Sequence, residues 1–281
     1  MSNPSVWAVM LTADRPELAA AAVRSFRSQT YENKRLLVVN TQTYENKRLL
    51  VVNSGTGPLF EQSADLMEPC FIGADAMTIG ELRNLGNQSV CELSFPADIL
   101  IHWDDDDWSH PNRIAEQVAM LQSSGAEVVG YNRMLFADCR VFDFDSDKMT
   151  VVDEDEDSIS IGTGNLISMP EAWIYTGEIL GTSLAYWRKT WERTPFEANH
   201  VLNEDGGFVS QVRAKGGKVV AVDSIVQEDQ GRIGCLTPRM IARIHAGNSS
   251  NPAYNPEQMA AHPLHWQRTP EFDSYCRRVI E

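Results

Sequence analysis

Ala97-Asp98-Ile99-Leu100-Ile101-His102-Trp103-Asp104-Asp105-Asp106-Asp107-Trp108 decides how the rest of the chain is read. Its first half is a short apolar run of the kind a fully buried strand shows, and its second half is four consecutive aspartates bracketed by tryptophans. Like charges this close repel by roughly several kcal/mol in a low-dielectric crevice unless a cation neutralises them. Oxygen-only ligands suit Mg2+ or Mn2+, ions that take one or two carboxylates and complete their shell with water and substrate phosphates. The segment therefore points to a metal at the carboxyl end of a strand, where open α/β sheets bind ligands, and to a di- or triphosphate substrate.

Working outward, Val6 to Leu11 reads as a buried strand, and a helix follows in which Asp14 caps, Pro16 sits in the first turn and Glu17 completes a capping box. Another helix is predicted from Thr78 to Val90, with Ile79, Leu82 and Leu85 apolar. Beyond the acids, Ser109 caps a helix whose Ile114, Val118 and Leu121 share a face. Strands follow at Val128-Val129 and Met134 to Phe136, then a hairpin over 141–152, a strand at Leu184 to Trp187, a helix from Glu204 to Lys215 and a strand at Lys218 to Val222. The run Asp153 to Asp157 is a solvated loop, because adjacent side chains diverge and repel. Strand and helix alternate through the first half, the order of a parallel sheet covered by helices.

Gln29 to Asn40 recurs letter for letter as Gln42 to Asn53, a tandem duplication with a period of 13 residues. Solenoid repeats need at least three copies, so no repeat architecture follows. Both copies carry Leu-Leu-Val-Val and compete for one core strand. The second copy is favoured, since it leads directly into the turn residues Ser54 to Gly57, with the first as an inserted loop or extra edge strand.

With 281 residues the chain allows one large domain or two small ones. Its 24 Lys and Arg against 39 Asp and Glu give a net charge of −15, which repels polyanions and argues against nucleic acid as a partner. No apolar stretch approaches the roughly 20 residues of a membrane span, and no signal peptide is evident, so a cytoplasmic protein is expected. Five widely spaced cysteines without a Cys-x-x-Cys pair fit free thiols in a reducing compartment.

Four ordered segments resemble the nucleotide-sugar glycosyltransferases of the GT-A fold, particularly glycosyltransferase family 2. They are Leu11-Thr-Ala-Asp-Arg-Pro-Glu-Leu18, Gly80-Glu-Leu-Arg-Asn-Leu-Gly86, the strand with Asp104 to Asp107, and Asn203-Glu-Asp-Gly-Gly-Phe208. The resemblance implies an α/β fold with a mixed, mainly parallel central sheet flanked by helices in one large domain. Residues 1–245 would form the transferase domain, nucleotide-binding to about 130 and acceptor-binding from 131, with 246–281 a tail packing on or capping the site. It implies a metal-dependent, inverting transfer of a sugar from a nucleoside-diphosphate sugar to an acceptor hydroxyl.

Carried onto this chain, Asp104 would sit near the ribose and, with Asp106, ligate Mn2+ or Mg2+; Asp105 would face the donor or, like Asp107, serve as an alternate ligand, with His245 as a further metal ligand. Thr12, Asp14 and Arg15 would lie beside the base, Arg83 would bind phosphate or nucleobase, and Asn84 would order the loop. Where the family carries an acid after its second strand, this chain has Asn53 and Ser54, and the Asn amide suits a uracil edge, which favours UDP. Asp205 would be the general base, with Glu204 as runner-up. Trp173, Tyr175, Tyr186 and Trp187 fall in the acceptor-facing region, and one or two are expected to touch the acceptor. The acceptor stays open, as does a homodimer. Two other readings remain: a non-catalytic sugar-nucleotide or carbohydrate binding protein, and a nucleotidyltransferase of similar fold.

Overall fold

Alternation along three neighbouring strands sorts the core into two faces. A computed structural model describes residues 3–12, 15–40, 50–53, 77–93, 96–139, 171–198, 203–227, 236–245, 248 and 256–280. The chain divides into two compact units, residues 1–135 with 175–242, and residues 136–174 with 243–281.

In chain order the elements are β1 (Val6–Thr12), α1 (Pro16–Arg27), β2 (Lys34–Asn40), β3 (Leu50–Asn53), α2 (Ile79–Glu92), β4 (Ile99–Asp104), β5 (Trp108–Ser109), α3 (Arg113–Ser124), β6 (Val128–Asp138), β7 (Glu171–Thr176), β8 (Ala185–Trp187), α4 (Arg188–Arg193), α5 (Glu204–Ala214) and β9 (Val219–Asp223). After these come β10 (Ile225–Gln227), β11 (Leu236–Pro238), β12 (Met240–Ile244), α6 (Pro256–Ala261), β13 (Trp266–Arg268) and α7 (Asp273–Ile280). The larger unit holds a mixed sheet in the order β6-β8-β4-β1-β2-β3. Strands β4, β1 and β2 are parallel, β9 runs parallel to β6, and β8 is antiparallel to both its neighbours.

Val6, Ala8 and Met10 of β1, Leu36 and Val38 of β2, and Ile99, Ile101 and Trp103 of β4 point to one face. There they pack on Ala22 and Phe26 of α1 and on Ile114, Val118 and Leu121 of α3. The intervening Trp7, Val9, Leu37, Val39 and Leu100 meet Val90 of α2 and Phe208, Val209 and Val212 of α5 on the other face. Two-sided burial explains why these strands read as continuous apolar runs, each large side chain contributing about 1.5–3 kcal/mol. Helix α2 sits close on the sheet because Gly86 has no side chain: a Cβ there would meet Val9 Cγ1 at 2.5 Å.

The duplicated segment is arranged opposite to the expectation. The first copy is the core strand β2, in register with β1 from Val6↔Lys34 to Thr12↔Asn40, and the second copy forms β3, antiparallel to β2. Chain length supplies the reason. Residues 29–33 bring the chain from α1 straight into β2, whereas residues 41–49 are too few for the crossover of roughly a dozen residues that a parallel neighbour needs.

Helix α2 begins at Ile79 with Thr78 and Glu81 forming a capping box. Two caps are corrected. Arg15, not Asp14, holds the cap position of α1, and Asp14 lies outside the described residues. Ser109 belongs to β5, and α3 starts at Arg113 with Asn112 in the cap position. The stretches read as separate strands at 128–129 and 134–136 are one strand, β6. The expected hairpin over 141–152 and the acidic loop 153–157 lie outside the described residues.

In the smaller unit Phe136 meets Trp266 edge-on at 5.0 Å, the Thr269 N–H donates to Ala172 O, and Arg268 makes two 2.8 Å bonds to Asp273. Met259, Phe272 and Cys276 are buried there. Among the described residues no helix is long and apolar enough to cross a membrane.

Deleting Thr41 to Asn53 joins Asn40 to Ser54 and removes an edge strand while sparing the parallel core. The deleted chain should keep a single cooperative thermal transition by circular dichroism. Leu37→Ala, inside the core, should lose about 2–5 kcal/mol in urea titration. Loss of folding on deletion would mean that the second copy carries the core.

Candidate active site

Strand β1 has β2 on one side and β4 on the other, so the strand order reverses there and the carboxyl ends of β1 and β4 open a crevice. Leu11 pairs with Asp104 in that register, which sets Thr12 beside the four aspartates. Buried Trp103 anchors the turn, its ring edge-on to Phe26 at 5.5 Å and its Nε1 donating to Ala22 O. Arg113, 1% exposed, lies over the Trp103 ring and donates to Ser109 Oγ, His102 O and Thr182 O at 2.9–3.0 Å.

The four aspartates point different ways. Asp105 turns toward β1: the Thr12 hydroxyl donates to its Oδ2 at 2.7 Å and Arg15 reaches its Oδ1 at 2.8 Å. Asp104, Asp106 and Asp107 converge, offering carboxylate oxygens within 4.8 Å of one another. Arg15 also donates to Asp106 at 3.1 Å, Arg83 to Asp104 at 2.7 Å, and the Thr182 hydroxyl to Asp107. This donor set fits a hard divalent cation, since it is all oxygen and carries more charge than its neighbours cancel.

Proton affinities express that excess. Burial would raise the Asp104 carboxyl, but the charge and hydrogen bond of Arg83 outweigh it and hold the group down at about 2. Burial pushes Asp105 up to about 6, with Asp106 and Asp104 adding to it and Thr12 and Arg15 opposing it. Burial and then the charges of Asp106 and Asp104 push Asp107 well above the usual carboxylate range.

A second pair of carboxyl groups stands at the start of α5. Asn203 caps that helix with φ 67°, a left-handed conformation that Asn tolerates, and Gly206 leaves room for its amide. Glu204 is buried and Asp205 keeps 21% of its side chain exposed. Burial, followed by the charge of Glu204, drives Asp205 up to about 8 against the pull of Arg83. The 3-10 turn Gly181–Ser183 joins the two acidic groups: Thr182 binds Asp107, and the Asp205 carboxylate lies against Gly181 so closely that a Cβ there would stand 1.7 Å from Oδ2.

Of the residues expected at the site, Thr12, Arg15, Asp104, Asp105, Asp106, Glu204 and Asp205 are placed as just described. The Arg83 side chain is 6% exposed and gives Nη2 to Asp104 as a counter-charge, while its Nε and Nη1 are buried without a hydrogen-bond partner among the described residues. Asn84 is spent elsewhere, accepting from Trp191 Nε1 and Phe196 N and donating to Phe196 O, which orders the loop before α5. Asn53 is at the wrong end of the sheet. It pairs with Arg35, roughly 16 Å along β2 from Asn40 at about 3.3 Å per residue, and Asn40, its counterpart in the first copy, pairs with Thr12. His245 follows β12 in the smaller unit, where its N–H donates to the Asn248 side chain.

Tyr186 is completely buried, and half-buried Trp187 donates its indole N–H to Ala126 O; Trp173 lies in the smaller unit and Tyr175 is half-buried. Missed by the sequence were Asp107 in first place among the converging ligands, the turn 181–183, Arg113, and His102, whose ring lies beside Asp205. The strand alternation could have flagged His102 as inward-pointing, but nothing in the sequence placed Gly181 and Thr182 against the acids.

No protein-family model matches the chain, and no curated protein matches it in sequence. Solved structures match in fold. S. aureus TarS residues 1–349 in complex with UDP-GlcNAc superposes with a TM-score of 0.52 at 10% identity, covering 92% of this chain and 65% of that one. A longer S. aureus TarS structure gives 0.51 at 10% identity, covering 92% of this chain and 39% of that one. The chain thus spans less than two thirds of either. The mannosyltransferase PcManGT from Pyrobaculum calidifontis, in complex with GDP-Man and Mn2+, reaches 0.48 at 11% identity over 100% of this chain and 70% of that one, too weak a likeness to build on. The fold is the GT-A arrangement, a mixed α/β sheet with its parallel strands at the centre and helices on both faces.

The raised carboxyls set a pH dependence. Asp105, Asp107 and Asp205 bind protons more tightly folded than unfolded, so their contribution to stability is full below about pH 4 and is lost as pH rises through about 6 and 8. Asp104, held down, works in the opposite sense: its contribution is full above about pH 4 and is lost as pH falls toward about 2. The metal-free protein should melt at lower temperature at pH 8 than at pH 5, and Asp205→Asn should flatten that slope. Mn2+ should raise the melting temperature more at pH 8 than at pH 5; an equal rise at both would show that the acids are already neutralised within the protein.

Proposed function

We propose that the chain is a glycosyltransferase that uses a nucleoside-diphosphate sugar and a divalent ion, Mn2+ or Mg2+, and inverts the anomeric carbon. The carrying observation is the convergence at one strand end of Asp104, Asp106 and Asp107, linked through Thr182 and Gly181 to an Asp205 whose proton affinity lies near neutrality. The shared fold with S. aureus TarS, whose 1–349 structure holds UDP-GlcNAc, supports this reading and makes a UDP sugar the first donor to try.

Asp104, Asp106 and Asp107 would hold the ion, which when bound supplies Lewis acidity to the departing diphosphate. The chain's own residues supply the rest. Thr12 and Arg15 fix Asp105 at the rim of the crevice, and the Arg15 guanidinium, 30% exposed, can turn from the aspartates to an entering diphosphate. Asp205 takes the proton of the acceptor hydroxyl as that oxygen bonds to the anomeric carbon, and the bond to the diphosphate breaks with its electron pair leaving on the nucleotide. One base and one displacement give inversion. A carboxyl held near pH 8 without metal is a better base than an ordinary aspartate, and its partial exposure lets an acceptor reach it. A cation bound nearby would lower that value, so that the ionised form is the one present at neutral pH.

Calorimetry with UDP, GDP, CDP and dTDP should show binding of one nucleotide with Mn2+ and none with chelator, and Asp106→Ala should weaken it at least about ten-fold. Asp205→Asn should bind that nucleotide normally while sugar transfer or donor hydrolysis falls by about 10²–10⁴. Binding with no turnover by the wild type would favour a sugar-nucleotide binding protein, and no binding at all would end the transferase reading.

A further inference from the structure

His102 stands on β4 two residues before the first aspartate, 1% exposed, with aromatic contacts to Tyr186 and Phe196 at ring-centroid distances of 5.6 and 5.3 Å. Both its ring nitrogens are engaged. Nδ1 lies 2.8 Å from Gly181 O and Nε2 lies 3.2 Å from the Tyr186 hydroxyl, which itself receives a hydrogen bond from Asn87 Nδ2 at 3.0 Å. A backbone carbonyl can only accept, so Nδ1 carries the proton; Nε2 then accepts from the Tyr186 O–H. The tautomer is fixed by its two partners.

The same Nδ1 is 3.4 Å from Asp205 Oδ1, a buried oxygen with no hydrogen bond of its own. The other oxygen, Oδ2, lies against Gly181, where even a methyl group would overlap it. The carboxylate is thus wedged between an imidazole edge and a glycine Cα.

We propose that His102 is a positioning residue for Asp205: its Nδ1–H, shared between Gly181 O and Asp205 Oδ1, fixes the carboxylate plane so that Oδ2 is the oxygen presented to the acceptor hydroxyl. This rests on the reading of Asp205 as the base. Asn87 and Tyr186 form the outer part of the same device, holding the ring in the tautomer that donates toward Asp205. With Nε2 accepting from the Tyr186 O–H, the ring is the neutral tautomer and orients the carboxylate without neutralising it as an ion pair would. Gly181 is the necessary partner, since any side chain there would displace Oδ2.

The test is direct observation of the ring by NMR on protein carrying 15N-labelled histidine, with the His102 signals assigned by their loss in His102→Asn. A neutral Nδ1–H tautomer whose Nδ1 proton signal moves in Asp205→Asn is the expected result. An Nε2–H tautomer, or His102 signals indifferent to Asp205→Asn, overturns the proposal, and neither result depends on activity. Kinetics adds the functional arm. His102→Leu should lower kcat by about ten- to a hundred-fold with donor KM unchanged, and His102→Asn, which keeps an N–H near the Nδ1 position, should recover much of it. A drop shared equally by both variants, with loss of donor affinity or of melting temperature, marks a purely structural histidine. If Asp205→Asn turns over like wild type, the base reading has failed; if it is inactive while His102→Leu is fully active, only the positioning role has failed.

Discussion

Mutual repulsion among four adjacent aspartates is the constraint around which the larger unit is arranged. A turn carrying that charge at the end of a buried strand is stable only where positive groups are fixed against it. Arg113 holds it from below through Trp103, Ser109 and the backbone of His102 and Thr182; Arg83 holds Asp104 from α2; Arg15 holds Asp105 and Asp106 from the start of α1. Each arginine comes from a different helix or helix entry, so the charge balance also locks α1, α2 and α3 to the strand end. The balance is incomplete, since Asp105 and Asp107 remain harder to ionise than ordinary aspartates. That residue of negative charge is what a divalent cation would complete.

The turn at Gly181–Ser183 transmits this arrangement to the second pair of acids. Consecutive residues there touch Asp205 and Asp107, so the placing of the converging aspartates against the acids of α5 is set by a single backbone turn. That turn is held in its own right: Ser183 Oγ accepts from Tyr131 N, and Ser183 O accepts from Gln117 Nε2. The two carboxylate groups keep distinct proton affinities, about 2 for Asp104 and about 8 for Asp205.

How far the sequence could be read depended on whether the deciding contact was local. The strand Ile99–Asp104, the helix opening at Thr78, and the start of α5 at Glu204 each follow from neighbours in sequence, and each was legible. Arg83 and Asn84 belong to a legible motif, yet their partners, Asp104 for one and Trp191 and Phe196 for the other, come from elsewhere in the chain. The duplicated segment shows the limit most clearly. Two identical stretches have identical propensities, and only the length of the connections separates core from edge; the same inversion moves the site-end asparagine from Asn53 to Asn40.

The sequence by itself determined the α/β order of elements, the two-sided burial of β1, β4 and one copy of the duplicated strand, and the presence of an oxygen-rich acidic turn at a strand end, because apolar runs, caps and adjacent charges act over a few residues. Tertiary structure alone decided which aspartates converge and which one turns away, that Asp107 rather than Asp105 joins Asp104 and Asp106, and that His102 and Gly181 flank Asp205. Those outcomes depend on the register of β4 against β1 and on a turn about 75 residues further along the chain, as the Thr182 to Asp107 bond shows, and no local pattern encodes a contact made across that distance.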